Sequence, residues 1–354
     1  MKQLLILLMC LSAVVSVSAR GKYDNTDTIT VARDGSGEFR NVSEAVEACR
    51  AFMEYKKVIY VKNGTYKEKV VVPSWLTNIE IVGEDRDKTV ITYDDHANIN
   101  LPGTTHHMGT FRTYTVKVEG TNITFKNITI ENNAPKLGQA VALHTEGDRL
   151  VFINCRILGN QDTIYTGTPG TRLYFLDCFI NGTTDFIFGP SVAWFENCEL
   201  QSRSNSYVTA ASTPKDQKFG YIFNHCRLTA EPGVTKVFLG RPWRAYAYTL
   251  FKECTLGSHI VPEGWHNWVD YHDPAKEGIV RYMEYKNNGP GADTKARVAW
   301  SHQLTKKEAA AITLAAVFGD TSWIPTKKHG FVTRDASPPT RSSLGVNNNM
   351  NQYS

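Results

Sequence analysis

The sequence contains no Cys-x-x-Cys pair, which removes zinc ribbons and thioredoxin-like redox motifs. It has no Gly-x-Ser-x-Gly elbow, so a serine esterase on an α/β-hydrolase scaffold is excluded. It has no His-Glu-x-x-His, and its ten histidines form no metal-ligand pattern. His106-His107 is the one adjacent pair, and neighbours on a strand face opposite ways. A P-loop and a Gly-x-Gly-x-x-Gly turn are also missing. The chain lacks a charge excess: its formal net charge is +4 over 354 residues, too little for a general nucleic-acid binder. The one basic stretch, residues 201–250, holds seven Lys/Arg against two acids, and suits either a solvated face or an anionic substrate. Hydrophobic residues are 42% and charged residues 21%, which excludes wholesale disorder. No stretch after Val17 is apolar enough to span a bilayer, and no linker divides the chain.

What is present begins with a targeting segment. Lys2 precedes an apolar run from Leu4 to Val17, and Val17-Ser18-Ala19 ends it with small residues. Residues 1–19 are therefore expected to be a signal peptide, and the mature chain to be secreted or periplasmic. Cys10 is a poor match to a lipoprotein cleavage site. Residues 20–338 are expected to form one domain, and 339–354, in a Ser/Asn-rich stretch, a disordered tail.

The middle of the chain repeats. RLVFINCRI (149–157), RLYFLDCFI (172–180), VAWFENCEL (192–200), GYIFNHCRL (220–228) and YTLFKECTL (248–256) share a Phe-x-x-Cys core. Their cysteines fall at 155, 178, 198, 226 and 254, and NITFKNITI (122–130) is an earlier copy with Ile128 in the cysteine place. Tyr174, Leu176, Cys178 and Ile180 share one parity, which reads as a strand. Steps of 20 to 28 residues are too short for a strand–helix–strand unit of roughly 30. They predict an all-β fold, one coil per step of a right-handed parallel β-helix. The cysteines would stack inside it as small buried hydrophobes, with room for one bridged pair. Residues 43–56 predict a capping helix with Ser43 as a candidate N-cap, and 305–318 a second helix with a Thr305/Glu308 capping box.

Asp162 lies seven residues after Cys155, and Asp185 seven after Cys178. Equal offsets in successive coils put both carboxylates on one lateral face, with Gln161 and Gln139 beside them. Like charges this close split their pKa values, as a nucleophile and a general acid require. A ladder of satisfied turn residues accounts for the same offset. Arg241 follows Asp185 by 56 residues, two steps of 28, and could grip a carboxylate with two hydrogen bonds. Tyr165, Phe186, Phe188, Trp243, Trp265 and Trp268 surround the acids, as packing or as platforms for sugar rings.

Five segments resemble the signature blocks of pectin methylesterases (pectinesterases), in that family's order. They are Gly64-Thr65-Tyr66-Lys67-Glu68, Gln139-Ala140-Val141-Ala142-Leu143, Gln161-Asp162-Thr163-Ile164-Tyr165, Asp185-Phe186-Ile187-Phe188-Gly189 and Leu239-Gly240-Arg241-Pro242-Trp243. The resemblance spans roughly residues 28–325. It implies Asp185 as nucleophile on a galacturonate methyl ester and Asp162 as general acid, then base. It implies Gln139 and Gln161 as oxyanion donors, and Arg241 as the group that orients Asp185. Tyr165, Phe188, Trp243, Trp265 and, less directly, Phe111 would line the sugar groove. The implied partner is methyl-esterified homogalacturonan, with no cofactor, no metal, no nucleic acid, no membrane after signal cleavage, and a monomeric chain. The plant enzymes often carry an inhibitor-like region before the catalytic blocks; none stands here, which suggests the bacterial type. Ala211 stands where the family commonly has Gln. Two other β-helix pectin chemistries, a calcium-dependent lyase and an inverting polygalacturonase, remain alternatives, as does a non-catalytic binder.

Overall fold

A computed structural model describes residues 21–268, 273 and 279–325. The expected signal peptide, 1–19, and the expected tail, 339–354, lie outside the described residues. Three sheets of eleven, seven and eight strands run along the molecule, and every named pairing is parallel. Each coil contributes one strand to each sheet through most of the length, which is the predicted parallel β-helix.

The Phe-x-x-Cys repeat is not one strand but a strand, a corner and a second strand. In the copy around Cys178, Arg172–Leu176 belongs to the eleven-stranded sheet and Phe179–Gly182 to the eight-stranded one. Asp177 between them has φ 54, a left-handed corner that interrupts the period of two. Inward parity therefore passes from Leu173 and Phe175 to Cys178 and Ile180, all in the central core. Tyr174 and Leu176, which sequence parity grouped with Cys178, point the other way. They are buried because a second apolar layer, with Ile312, Phe318 and Ile324, covers that outer face.

The corner explains the Asn or Asp before the cysteine place in four copies of the repeat, while His225 and Glu253 take the same left-handed position in the other two. Asn127, Asn154, Asp177 and Asn197 occupy the left-handed position in four copies, where Asn and Asp are the residues best tolerated after Gly. The following thiol donates back across one coil: Cys155 Sγ to the Phe125 carbonyl, Cys178 to Phe152, Cys198 to Phe175, Cys226 to Phe195 and Cys254 to Phe223. All six cysteines described are buried free thiols. Cysteine here is a small hydrophobe that also satisfies a corner carbonyl.

The phenylalanines form a column. Phe125, Phe152, Phe175, Phe195, Phe223 and Phe251 sit in register, and the ring centroids from Phe152 to Phe251 are 4.5–4.7 Å apart. Phe175→Ala removes a fully buried ring with neighbours on both faces. Denaturant unfolding should show a loss of about 3–5 kcal/mol, while Phe52→Ala, 73% exposed, should change stability by less than about 0.5 kcal/mol.

The ends differ from expectation in length. The first helix, α1 (Val42–Glu47), is six residues long, and Asn41 rather than Ser43 occupies the N-cap. It ends at Glu47 with Ala48 as its C-cap, and the chain turns left-handed further on, at Phe52 with φ 56. Its free amides at Val42 and Ser43 donate to the Glu68 carboxylate, so the Gly64–Glu68 block anchors the cap of the solenoid. The C-terminal helix is two, α2 (Lys306–Ala310) and α3 (Leu314–Phe318). The Thr305/Glu308 capping box starts α2 as predicted, and Thr313 caps α3, which is what divides them.

Candidate active site

The seven-stranded sheet positions most of the expected site residues. On its outward face Lys117, His144, Tyr165, Phe188 and Ala210 follow one another in register, one per coil. Asp162 and Asp185 stand in the turns that enter the Ile164–Thr166 and Ile187–Gly189 strands. The pairing of Ile164 with Ile187 makes the two acids equivalent positions of consecutive coils, as the shared offset required. Both are left-handed, with φ 65 and 49, and the Asp162 amide donates to the Thr184 carbonyl and the Asp185 amide to the Tyr207 carbonyl. Each turn is thus hydrogen-bonded to the coil after it, which fixes the backbone from which the two carboxyl groups project.

Arg241 leaves the Phe238–Gly240 strand two coils further on. Its Nε and Nη2 donate to the two oxygens of Asp185 at 3.0 and 2.6 Å. This is the two-pronged grip that the spacing suggested. Among the described residues Asp162 has no such partner. Burial, and then the charge of Asp185, push its carboxyl well above the usual carboxylate range. Burial raises Asp185 as well, but the hydrogen bond and charge of Arg241 oppose the rise. Asp185 is therefore the first of the pair to ionise, and Asp162 holds its proton beside a carboxylate. Both acids are nearly buried, at 8% and 5% exposure, rather than open on the face.

Gln139 and Gln161 are half-buried at the same edge of the column, and Ala140 donates to the Gln161 carbonyl. Neither side-chain amide has a hydrogen-bond partner among the described residues. The aromatic stripe is continuous. Tyr165 stacks on Phe188 at 4.8 Å, Phe111 leans on Tyr165 at 4.8 Å, and Trp243 meets Phe188 at 5.8 Å. Phe111, in the 3-10 turn Thr110–Arg112, is 48% exposed and so joins the open face.

Trp265 does not. It is 1% exposed and stacks on Tyr282 inside the solenoid, with Phe251 beside it. Its amide donates to the Glu263 carbonyl, and its backbone forms a parallel bridge with Gly240 at the end of the Phe238–Gly240 strand. The expectation that Trp265 lines a sugar groove is corrected: the indole fills the core where no phenylalanine of the column continues. Trp268, three residues on, is the indole that reaches the site, over the Arg241 guanidinium at 3.9 Å. Tyr207 was also missed. It lies 22 residues after Asp185, nearly the coil step that links Asp162 to Asp185, and that spacing was the available signal.

These features together define a parallel β-helix whose lateral face presents an arginine-paired aspartate, a second aspartate one coil before it whose carboxyl is pushed up by burial, two glutamine side chains and an aromatic stripe. The chain belongs to the pectinesterase family, whose sequence profile matches residues 28–321. A probable pectinesterase/pectinesterase inhibitor of Brassica napus is 36% identical over 84% of this chain and 52% of its own length. The chain spans about half the length of the first curated relatives it matches. Among solved structures, the pectin methylesterase from carrot superposes with TM-score 0.75 at 32% identity, covering 84% of this chain and 94% of that one. The pectin methylesterase from Yersinia enterocolitica superposes with TM-score 0.71 at 30% identity, covering 80% and 100%. Plant and bacterial proteins both stand among these relatives, so the bacterial type inferred from chain architecture is not separated from the plant type by similarity.

Proposed function

We propose that this chain is a secreted or periplasmic, monomeric esterase that hydrolyses methyl esters of galacturonate units in pectin, releasing methanol and pectate. The observation that carries this reading is the asymmetric aspartate pair, one carboxylate held by Arg241 and the other kept protonated by burial. Two solved relatives, 28% identical, are complexes of pectin methylesterase with a hexasaccharide, which supports an oligogalacturonide along the aromatic face.

In the proposed sequence, an Asp185 oxygen attacks the ester carbonyl carbon. The carbonyl oxygen becomes an oxyanion that accepts hydrogen bonds from the Gln139 and Gln161 amides. Asp162 gives its proton to the methoxy oxygen, the C–O bond breaks, and methanol departs. An acyl group remains on Asp185. Asp162, now a carboxylate, takes a proton from water as that water attacks the acyl carbon. Asp185 leaves as a carboxylate, Asp162 is again protonated, and the product acid ionises to solvent. Tyr165, Phe188, Trp243 and Phe111 support the sugar rings.

The discriminating assay measures three products from one methylated pectin sample. Methanol should appear, without unsaturated product absorbing in the ultraviolet and without new reducing ends. Among the described residues no group of three or more His, Cys, Asp or Glu is placed to hold a metal. Arg241 and the two amides supply the stabilising charge and hydrogen bonds in this scheme, so a chelator should leave methanol release unchanged. Loss of turnover restored by calcium, with ultraviolet-absorbing product, would establish a lyase instead.

The same scheme sets the pH dependence. Turnover needs Asp185 ionised and Asp162 protonated, so kcat/KM should be bell-shaped. Because both carboxyls are raised, the acid limb should lie above the ordinary aspartate range, and the alkaline limb well above it. The apparent values belong to the pair. An alkaline limb absent from Asp162→Glu and wild type alike would remove Asp162 from the role of acid.

A further inference from the structure

Arg241 is held on more than its hydrogen-bonding edge. The Tyr207 ring lies 4.2 Å from the centre of its guanidinium and the Trp268 ring 3.9 Å. Behind Tyr207 the stack continues: Phe238 pairs with it in register at 5.6 Å, and His266 packs on both rings at 5.1 Å. The guanidinium edge meanwhile spends Nε and Nη2 on Asp185.

A two-pronged ion pair is directional only while the guanidinium plane is held coplanar with the carboxylate. Arginine reaches that plane through several freely rotating bonds, and its planar, weakly hydrated cation stacks well on aromatic faces. We propose that Tyr207 and Trp268 are positioning residues, an aromatic clamp that fixes the Arg241 plane so that Asp185 stays ionised and aimed. Neither ring need touch the ester for this role. The proposal rests on the esterase reading for its kinetic consequence, but its electrostatic consequence does not require turnover. The ionisable groups facing Arg241 are Asp185, Asp162, the Tyr207 phenol and His266, and buried Tyr282 also senses the pair. Burial and the arginine hold His266 below the ordinary histidine value, so the cation beside Asp185 is the arginine.

The test uses the full chain with Trp268→Ala and Trp268→Phe. First, the Asp185 carboxyl is titrated by 13C NMR with labelled aspartate, its signal assigned by its loss in Asp185→Asn. Trp268→Ala should move the Asp185 midpoint upward, and Trp268→Phe should restore it. Second, methanol release should show kcat lowered roughly 5- to 30-fold by Trp268→Ala, with KM changed less than about threefold and the acid limb displaced to higher pH. A raised KM with an unmoved Asp185 midpoint would make Trp268 a sugar platform only and overturn the clamp. Lowered thermal stability with both midpoint and kcat unmoved would make it packing only, with the same consequence. If Trp268→Ala fails to fold, Tyr207→Leu removes the other ring of the clamp and is read the same way. If the wild type releases no methanol, the esterase reading fails, while the NMR midpoint still decides the clamp.

Discussion

Asp185→Asn should abolish methanol release. The amide nearly matches the carboxylate in shape but cannot form the acyl intermediate, so the chemical step has no route. The substitution also leaves Arg241 facing a neutral group in a nearly buried site, where removing one partner of an ion pair costs up to roughly 3–5 kcal/mol. That cost falls within the 5–15 kcal/mol typical of a folded domain, and the long core column is untouched. The variant should therefore fold with a lowered melting temperature and still bind a methylated oligogalacturonide. Retention of even about a tenth of wild-type turnover, on a scale where catalytic effects run to many orders of magnitude, would show that Asp185 is not the nucleophile. The two aspartates would then be turn residues of a structural ladder.

Asp162→Asn should divide activity from stability. Loss of a general acid and base lowers kcat by about 10²–10⁴. Stability should move the other way. Asp162 has a folded pKa raised above its unfolded value, mainly by burial. Its contribution to stability is fully present below the unfolded value, about 3.9. It is lost as pH rises through the folded value. Asparagine carries no proton to lose. The melting temperature of Asp162→Asn relative to wild type should therefore increase from acid to alkaline pH. Differential scanning calorimetry across that range checks it, and a difference independent of pH would mean that Asp162 is not held protonated by the fold.

Legibility in the sequence followed what the solenoid repeats. The Phe-x-x-Cys steps exposed the coil, because in-register stacking forces one side-chain size at one corner of every turn. The equal offsets of Asp162 and Asp185 survived because in-register parallel pairing carries an offset from one coil to the next. The two steps of 28 to Arg241 did not: the coils there are 22 and 31 residues, the position equivalent to Asp185 is Phe238, and Arg241 reaches back from the far end of its strand. What periodicity hid were the corners. A single left-handed residue such as Asp177 reverses parity, so Tyr174 and Leu176 were read as companions of Cys178 when they face the opposite layer. Trp265 was misplaced for a related reason: an isolated indole near a site reads alike whether it faces in or out, and only its burial against Tyr282 and Phe251 shows that it faces in. Trp268 was legible as an aromatic near the acids, but its place over the Arg241 guanidinium, and that of Tyr207, became visible only when the guanidinium was placed.

The central claim is that one carbonyl carbon sits against Asp185 while its sugar ring lies on the aromatic face. A crystal structure of the folded Asp162→Asn variant soaked with a fully methylated oligogalacturonide tests it directly. The account predicts an ester carbonyl carbon about 3–3.5 Å from an Asp185 oxygen, a reactive separation. It also predicts the methoxy oxygen toward residue 162 and rings over Tyr165, Phe188 and Trp243. An oligosaccharide bound on another face, or across these aromatics with its ester directed away from Asp185, would contradict it.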